Sequence, residues 1–337
     1  SKLKIPVAPN FETFRSNFLA RAGKAFIVPA KTFDNVPSNF PIGFFTWYTT
    51  DKQPISEIIA DVFDKYGESM GTKRLAVEQE VSTINDWIVA TRNRTGEKKI
   101  GFMYAAGCDF QHQNYNYIIN EKFQLPHPRG TQITDMNLRE IAIYLAVRHS
   151  VQKNWLNDRD QFTNPNATWK QDVDFQNDCL AYTLFSTANN IQSNKGINHW
   201  QPFTEEELGI TNELSDHFMT DYISGKGRPK AIQGNLFDDS QNENSPLVFS
   251  EEAKAVFDAG RELWKYYHKQ PDADLNAAYY DIRKYFQGTK LDKKGKEVMN
   301  SASEDETYTK LHAALRKAHK LLAKKIVPKV YEHGFLR

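Results

Sequence analysis

Aromatic residues gathered around a short polar loop are the first feature with chemical content. Thr32-Phe33-Asp34-Asn35-Val36 is followed by Phe40-Pro41-Ile42-Gly43-Phe44-Phe45-Thr46-Trp47. This order sets Phe33 and Phe40 at the two ends of a loop between apolar stretches. A ring held on such a loop can stack on a base that has left a nucleic-acid duplex. The same rings can instead plug a core, the ordinary fate of phenylalanine. Both readings remain open from the residues alone.

Cations supply the next candidates. Lys226-Gly227-Arg228-Pro229-Lys230 is similar to the core of the AT-hook, whose extended backbone lets Arg enter a narrow A·T minor groove. A solvated charged loop is the alternative. Near the C-terminus, Arg316, Lys317, Lys320 and Lys324 fall opposite an apolar stripe, at a spacing that can follow a phosphate backbone or serve as an ordinary wetted face. Asp158, Asp160, Asp172, Asp174 and Asp178 cluster in sequence, and converging carboxylates could hold magnesium in a nuclease. A nuclease site would also need a nearby Lys on a strand, which Lys170 does not obviously supply, and structural ion pairs or caps are the preferred reading. Cys108 and His112 have metal-like spacing but no second pair at zinc-finger distance, so no metal site is expected. His149 reads as a hydrogen-bonded core residue. No phosphate-binding loop, nucleophile elbow or dinucleotide fingerprint is present.

The elements that must position these residues follow from periodicity. Asn10 should cap a helix through Arg21, closed by Gly23, and Lys24–Pro29 and the buried run Phe40–Tyr48 should form a hairpin. Residues 55–64 and 73–78 make a second hairpin turning at Tyr66-Gly67-Glu68. A short helix over 81–92, strands over 99–104 and 115–120, and a helix from Asp135 to Trp155 that is apolar all round come next. Helices over 172–186 and 213–224 follow, the latter closed by Gly225. Residues 225–247 read as a linker. Beyond them Ser250, Asp272 and Thr307 open three amphipathic helices, the last stopped by Pro328, which together predict a small bundle.

Length and composition fit two or three domains with a sizeable core: 337 residues, 40% hydrophobic and 25% charged. The net charge of +1 gives no global argument for nucleic acid, but residues 254–337 carry 18 Lys or Arg against 11 Asp or Glu, +7, leaving −6 for the remainder. Two cysteines make no disulfide framework, and the expected compartment is the cytoplasm. No run of 18 apolar residues is present, so no membrane association is expected. The opening Ser1-Lys2-Leu3, without Met, suggests an excised fragment.

Thr32–Val36 with Phe40–Trp47 resembles the late catalytic-domain hairpin of gamma-type adenine-N6 DNA methyltransferases, the enzymes of type I, type IIG and related restriction–modification systems. Further segments resemble the long C-terminal regions of the same family. They are Leu138-Arg139-Glu140-Ile141-Ala142, Trp155 to Phe162, Asp178-Cys179-Leu180-Ala181-Tyr182, Asn198-His199-Trp200, Pro202-Phe203-Thr204 and Phe249–His268. The resemblance implies that Phe33, with Phe40 as second choice, packs against a flipped adenine. It also implies S-adenosylmethionine as donor in the intact parent and double-stranded DNA as partner. The family's aromatic-x-Gly-x-Gly and Asn-Pro-Pro-aromatic motifs do not occur; Asn164-Pro165-Asn166 lacks the second proline and the aromatic. The chain alone is therefore expected to be inactive and to bind no donor, with the missing N-terminal half or a partner subunit supplying the chemistry. The expected architecture is mixed α+β. Residues 1–50 are the trailing strands of an α/β methyltransferase domain, 51–247 a mixed α+β target-recognition region, and 248–337 the helical bundle. A non-enzymatic DNA-binding specificity module, or a phage-defence scaffold, is the alternative.

Overall fold

The computed structural model describes residues 11–36, 40–76, 82–91, 98–105, 115–121, 130–152, 162–226 and 245–336. The architecture is mixed α+β, as expected. A one-and-a-half-turn helix, α1 (Glu12–Asn17), leads into a four-stranded sheet. Its strands are β1 (Arg21–Pro29), β2 (Pro41–Tyr48), β3 (Glu57–Phe63) and β4 (Ser69–Ala76), in the order β2-β1-β3-β4. β1 and β2 form the expected hairpin, whereas β3 runs parallel to β1, pairing Ala25 with Ala60 and Ile27 with Val62. The return passes the start of β1, where the Arg21 N–H donates to the Asp51 carbonyl at 3.0 Å and the Arg21 side chain pairs with the Asp51 carboxylate at 2.7 Å. The β3–β4 hairpin turns at Gly67, whose φ of 87° suits glycine.

Helix was expected as far as Arg21, with Gly23 as its stop, but strand begins at Arg21. Gly23 and Lys24 fall where the β1–β2 register shifts, a bulge that absorbs the extra residues. Alternation decides the faces of this sheet. Ala25, Ile27, Ile58, Ala60, Val62 and Leu75 form a small core, with Phe18, Phe45 and Trp47 packed on it. β2, expected to be buried, alternates between half-buried and exposed residues because it is an edge strand.

A second core runs from Ile84 to Leu336. α2 (Ile84–Val89) is opened by a capping box between Thr83 and Asp86. A three-stranded antiparallel sheet follows, with β5 (Lys99–Ala105) between β6 (Asn116–Ile119) and β7 (Gly130–Thr134). At the centre lies α3 (Leu138–Ser150). Ten of its thirteen residues are buried, including Glu140 and Arg148, as all-round apolarity predicts. α4 (Val173–Leu184), capped by Asp172, packs on α3. Short helices α5 (Glu205–Leu208) and α6 (Phe218–Ser224) close with left-handed Gly209 and Gly225.

The C-terminal helices are α7 (Glu251–His268), capped by Ser250, α8 (Tyr279–Gln287) and α9 (Glu306–Glu332). A two-stranded hairpin, β8 (Thr289–Leu291) and β9 (Glu297–Met299), separates the last two. They do not form an isolated bundle, because α9 packs on α3 and α4 as well as on α7. The expected divisions at residues 50 and 247 thus fall inside the first sheet and inside the second core. Asp272 does not cap α8, whose N-cap falls six residues later at Ala278, where the backbone N–H donates to the Asp281 carboxylate at 2.9 Å. Pro328 does not stop α9. The helix continues to Glu332 because its end is fastened: Lys329 pairs with Asp172 at 2.9 Å, the Asn166 N–H donates to the His333 carbonyl at 2.9 Å, and Phe335 is fully buried.

That fastening is pH-sensitive. Burial pushes the Asp172 carboxyl up, but the Lys329 ammonium, the Phe175 N–H and the His333 ring together outweigh it and hold the group below the ordinary carboxylate range. A depressed folded value means stability that is present above the unfolded value and lost as pH falls through the folded one. Asp172→Asn, which retains the capping oxygen, is expected to lower stability at pH 7 by about 1–2 kcal/mol. The gap to wild type should close below roughly pH 4. Urea melts across this range check it, and a pH-independent gap would show that charge is not the cause.

Candidate nucleic-acid interface

Phe33 and Phe40 sit where the β1–β2 hairpin opens. The ladder ends at the Pro29–Pro41 pair, the Ala30 N–H donates to the Phe40 carbonyl at 2.8 Å, and a turn over Ala30–Thr32 delivers Phe33. Asn35 takes the left-handed conformation, φ 61°, as a polar turn residue can. Neither ring plugs a core: Phe33 is 43% exposed and Phe40 38%.

The rings of Phe33, Phe44, Phe26 and Phe63 form a row across the sheet face away from its core. Phe26 stacks on Phe44 with centroids 4.7 Å apart, Phe33 lies 6.3 Å from Phe44, and Phe63 meets Phe26 edge-on at 6.4 Å. Phe26 and Phe44 are exposed to the same degree as Phe33, so the row is an uncovered apolar strip. Beside Phe33 an open hollow of about 560 Å³ is lined by Lys31, Asp34, Asn35, Val36 and Lys65. Aromatic faces with two flanking ammonium groups can take a base and its phosphates.

The α9 cations separate into three kinds. Lys317, Lys320 and Lys324 are exposed and make no ion pair among the described residues, as a surface that follows phosphates requires. Lys325 and Lys329 turn to the protein and pair with Asp178 and Asp172 at 3.5 and 2.9 Å. Arg316 is placed differently from the solvated face expected for it. It is half-buried, because it flanks the inward stripe of Leu315, His319 and Leu322, and it lies among Tyr279, Tyr182, His312 and His319. Lys226 is exposed just after α6, while Arg228 and Lys230 lie outside the described residues.

Among the described residues, Asp172, Asp174 and Asp178 do not converge on one metal-holding group. Asp172 caps α4, and Asp178 bonds the Ser250 hydroxyl at 2.6 Å and pairs with Lys325. Asp174 is exposed, and Asp158 and Asp160 lie outside the described residues, as do Cys108 and His112. Asn166 is occupied as a cap, accepting from the Thr168 N–H at 3.0 Å and donating to the Glu332 carbonyl at 3.2 Å. His149 is hydrogen-bonded as expected, but half-buried at the end of α3 and not a core residue. Its Nε2 meets the Asn116 carbonyl at 2.9 Å, and burial pushes it down to about 4.

Sequence reasoning missed a polar hollow of about 500 Å³ lined by Lys98, Asp135, Ser215, Asp216, His217, Phe218 and Asp221. Asp216 is its anchor, pairing with Lys98 at 2.6 Å and His199 at 3.0 Å. Burial raises that carboxyl, yet Lys98, His199 and the Phe218 N–H hold it down. The residues come from three segments, around 98, 135 and 215–221, so no spacing signal existed. Among the described residues no helix is long and apolar enough to cross a membrane. No family model matches the chain, and no curated protein and no solved structure matches it.

Proposed function

We propose that this chain is the C-terminal DNA-recognition portion of an adenine-specific DNA methyltransferase of a restriction–modification system. In this reading the S-adenosylmethionine-binding and catalytic motifs lie on chain or subunit outside these 337 residues, so the portion alone transfers no methyl group. The observation that carries the reading is the uncovered row of rings ending in Phe33, beside a hollow flanked by Lys31 and Lys65. Methylation of an exocyclic amine requires the adenine to leave the stack, and an extruded base needs an aromatic wall. The wetted Lys317, Lys320 and Lys324 supply phosphate contacts, which position without reading sequence.

Phe33→Ala in the intact enzyme is the test. Methyl transfer to DNA is expected to fall about five- to a hundredfold, since a stacked base is held by about 1–3 kcal/mol per ring. Affinity for S-adenosylmethionine should not change. Unchanged turnover would remove Phe33 from the site. A salt-independent interaction with duplex DNA, or none, would favour the scaffold alternative instead.

A further inference from the structure

The interior between α8 and α9 holds two arginines with no counter-charge among the described residues. Arg283 is about nine-tenths buried, with its guanidinium 4.9 Å from the Tyr279 ring centroid and 5.7 Å from that of Tyr280. Its hydrogen bond, to the Thr187 carbonyl, is long at 3.5 Å, and its Nε has no partner among the described residues. One Arg316 guanidinium nitrogen is likewise buried without a partner. So is the hydroxyl of Tyr308, a residue only 1% exposed. The ionisable groups around the two arginines are Tyr182, Tyr279, Tyr280, Tyr308, His312 and His319, and no carboxylate is among these. His312 bonds the Tyr279 hydroxyl at 3.1 Å, and its ring stacks on Tyr308 with centroids 5.3 Å apart, which ties the members together.

A desolvated guanidinium without a counter-charge is costly, and the half-buried Arg316 adds like-charge repulsion to that of Arg283. Tyrosine faces offset part of that. Arg283 Nε and the Arg316 nitrogen can only donate, and the Tyr308 hydroxyl can donate as well. An acceptor-only anion complements such a set, and guanidinium groups suit the oxygens of phosphate. We propose that Arg283, Arg316 and Tyr308 form a receptor for a phosphate-type oxyanion, entered from the half-exposed Arg316 side. Burial, then Arg316 and Arg283, push His312 down to about 4, so its ring stays neutral and does not compete as a third cation. The phosphate is either a free phosphate group or one on a nucleic acid. The site stands whether or not the methyltransferase reading holds.

The full chain, melted in phosphate-free buffer at constant ionic strength, tests the proposal. Inorganic phosphate should raise Tm by a few degrees, saturably, while chloride should not. Arg316→Gln should abolish the rise, and removing an uncompensated charge should leave its own Tm in plain buffer equal to or above wild type. A second arm adds a short DNA duplex. If only the duplex shifts Tm and Arg316→Gln removes that shift, the phosphate is a nucleic-acid one; if inorganic phosphate suffices, it is a free group. Phosphorus-31 line broadening of inorganic phosphate by the wild-type chain gives a reading that needs no variant. Absence of a saturable shift with both probes, or a shift that Arg316→Gln retains, overturns the site.

Discussion

Gly260→Ala is expected to destabilise the protein by about 1–3 kcal/mol, although alanine is the better helix former by roughly 1 kcal/mol. Gly260 lies within α7 and is buried. A Cβ placed there would stand 2.4 Å from Cε1 of Phe185 and 3.0 Å from two further ring atoms. That ring cannot swing away. It is fully buried and meets Phe257 and Trp264 edge-on at 5.3 and 5.9 Å, with Phe203 at 6.0 Å. The missing side chain is what lets α7 close on the end of α4. Gly260→Val should cost more, because its second branch has the same neighbours. Urea denaturation measures both effects. Pairing Gly260→Ala with Phe185→Leu should recover part of the deficit, as expected for contacting residues. A Gly260→Ala variant as stable as wild type would mean the helices re-space freely.

The second large effect concerns binding. Replacing Lys317, Lys320 and Lys324 together by glutamine is expected to flatten the dependence of log affinity for duplex DNA on log salt by about 2.7, at roughly 0.9 for each phosphate no longer neutralised. Over a fourfold change in salt this removes tens of fold in affinity. Stability should change little, because all three side chains are exposed and unpaired among the described residues. The matched control is Lys325→Gln, whose cation is already engaged by Asp178 and Glu252 at 3.5 and 3.4 Å. It should leave the salt slope unchanged. An unaltered slope in the triple variant would take the outer face of α9 out of any DNA surface, while leaving the Phe33 row to be judged by its own test.

Local signals are legible where one force dominates. Ser250 as a cap, Gly225 as a stop, the Gly67 turn and the encircled α3 all follow from capping, left-handed backbone or unbroken apolarity. The failures are tertiary. Parallel pairing of β1 with β3 has no local signature. The β8–β9 hairpin carries almost no buried side chains, so no alternation announced it. Pro328 is tolerated because contacts from Asn166, Asp172 and Thr163 hold the chain beyond it. At the candidate sites, loop position brought out Phe33 and Phe40, and helical spacing brought out the outer lysines. The same spacing misassigned Arg316, since one step round a helix separates a wetted face from an inward one. Arg283 and Tyr279 gave no signal, because their interest lies in the missing countercharge.

The Leu247 N–H donates to the Ile223 carbonyl at 2.8 Å, and Asn177 donates to the Val248 carbonyl at 2.9 Å. The described residues on either side of 227–244 are therefore held a single hydrogen bond apart. An excursion whose two feet touch is entropically insensitive to its length, each doubling adding only about 0.6 kcal/mol. Changing the number of residues between 226 and 245 is thus expected to ask little of the scaffold on either side.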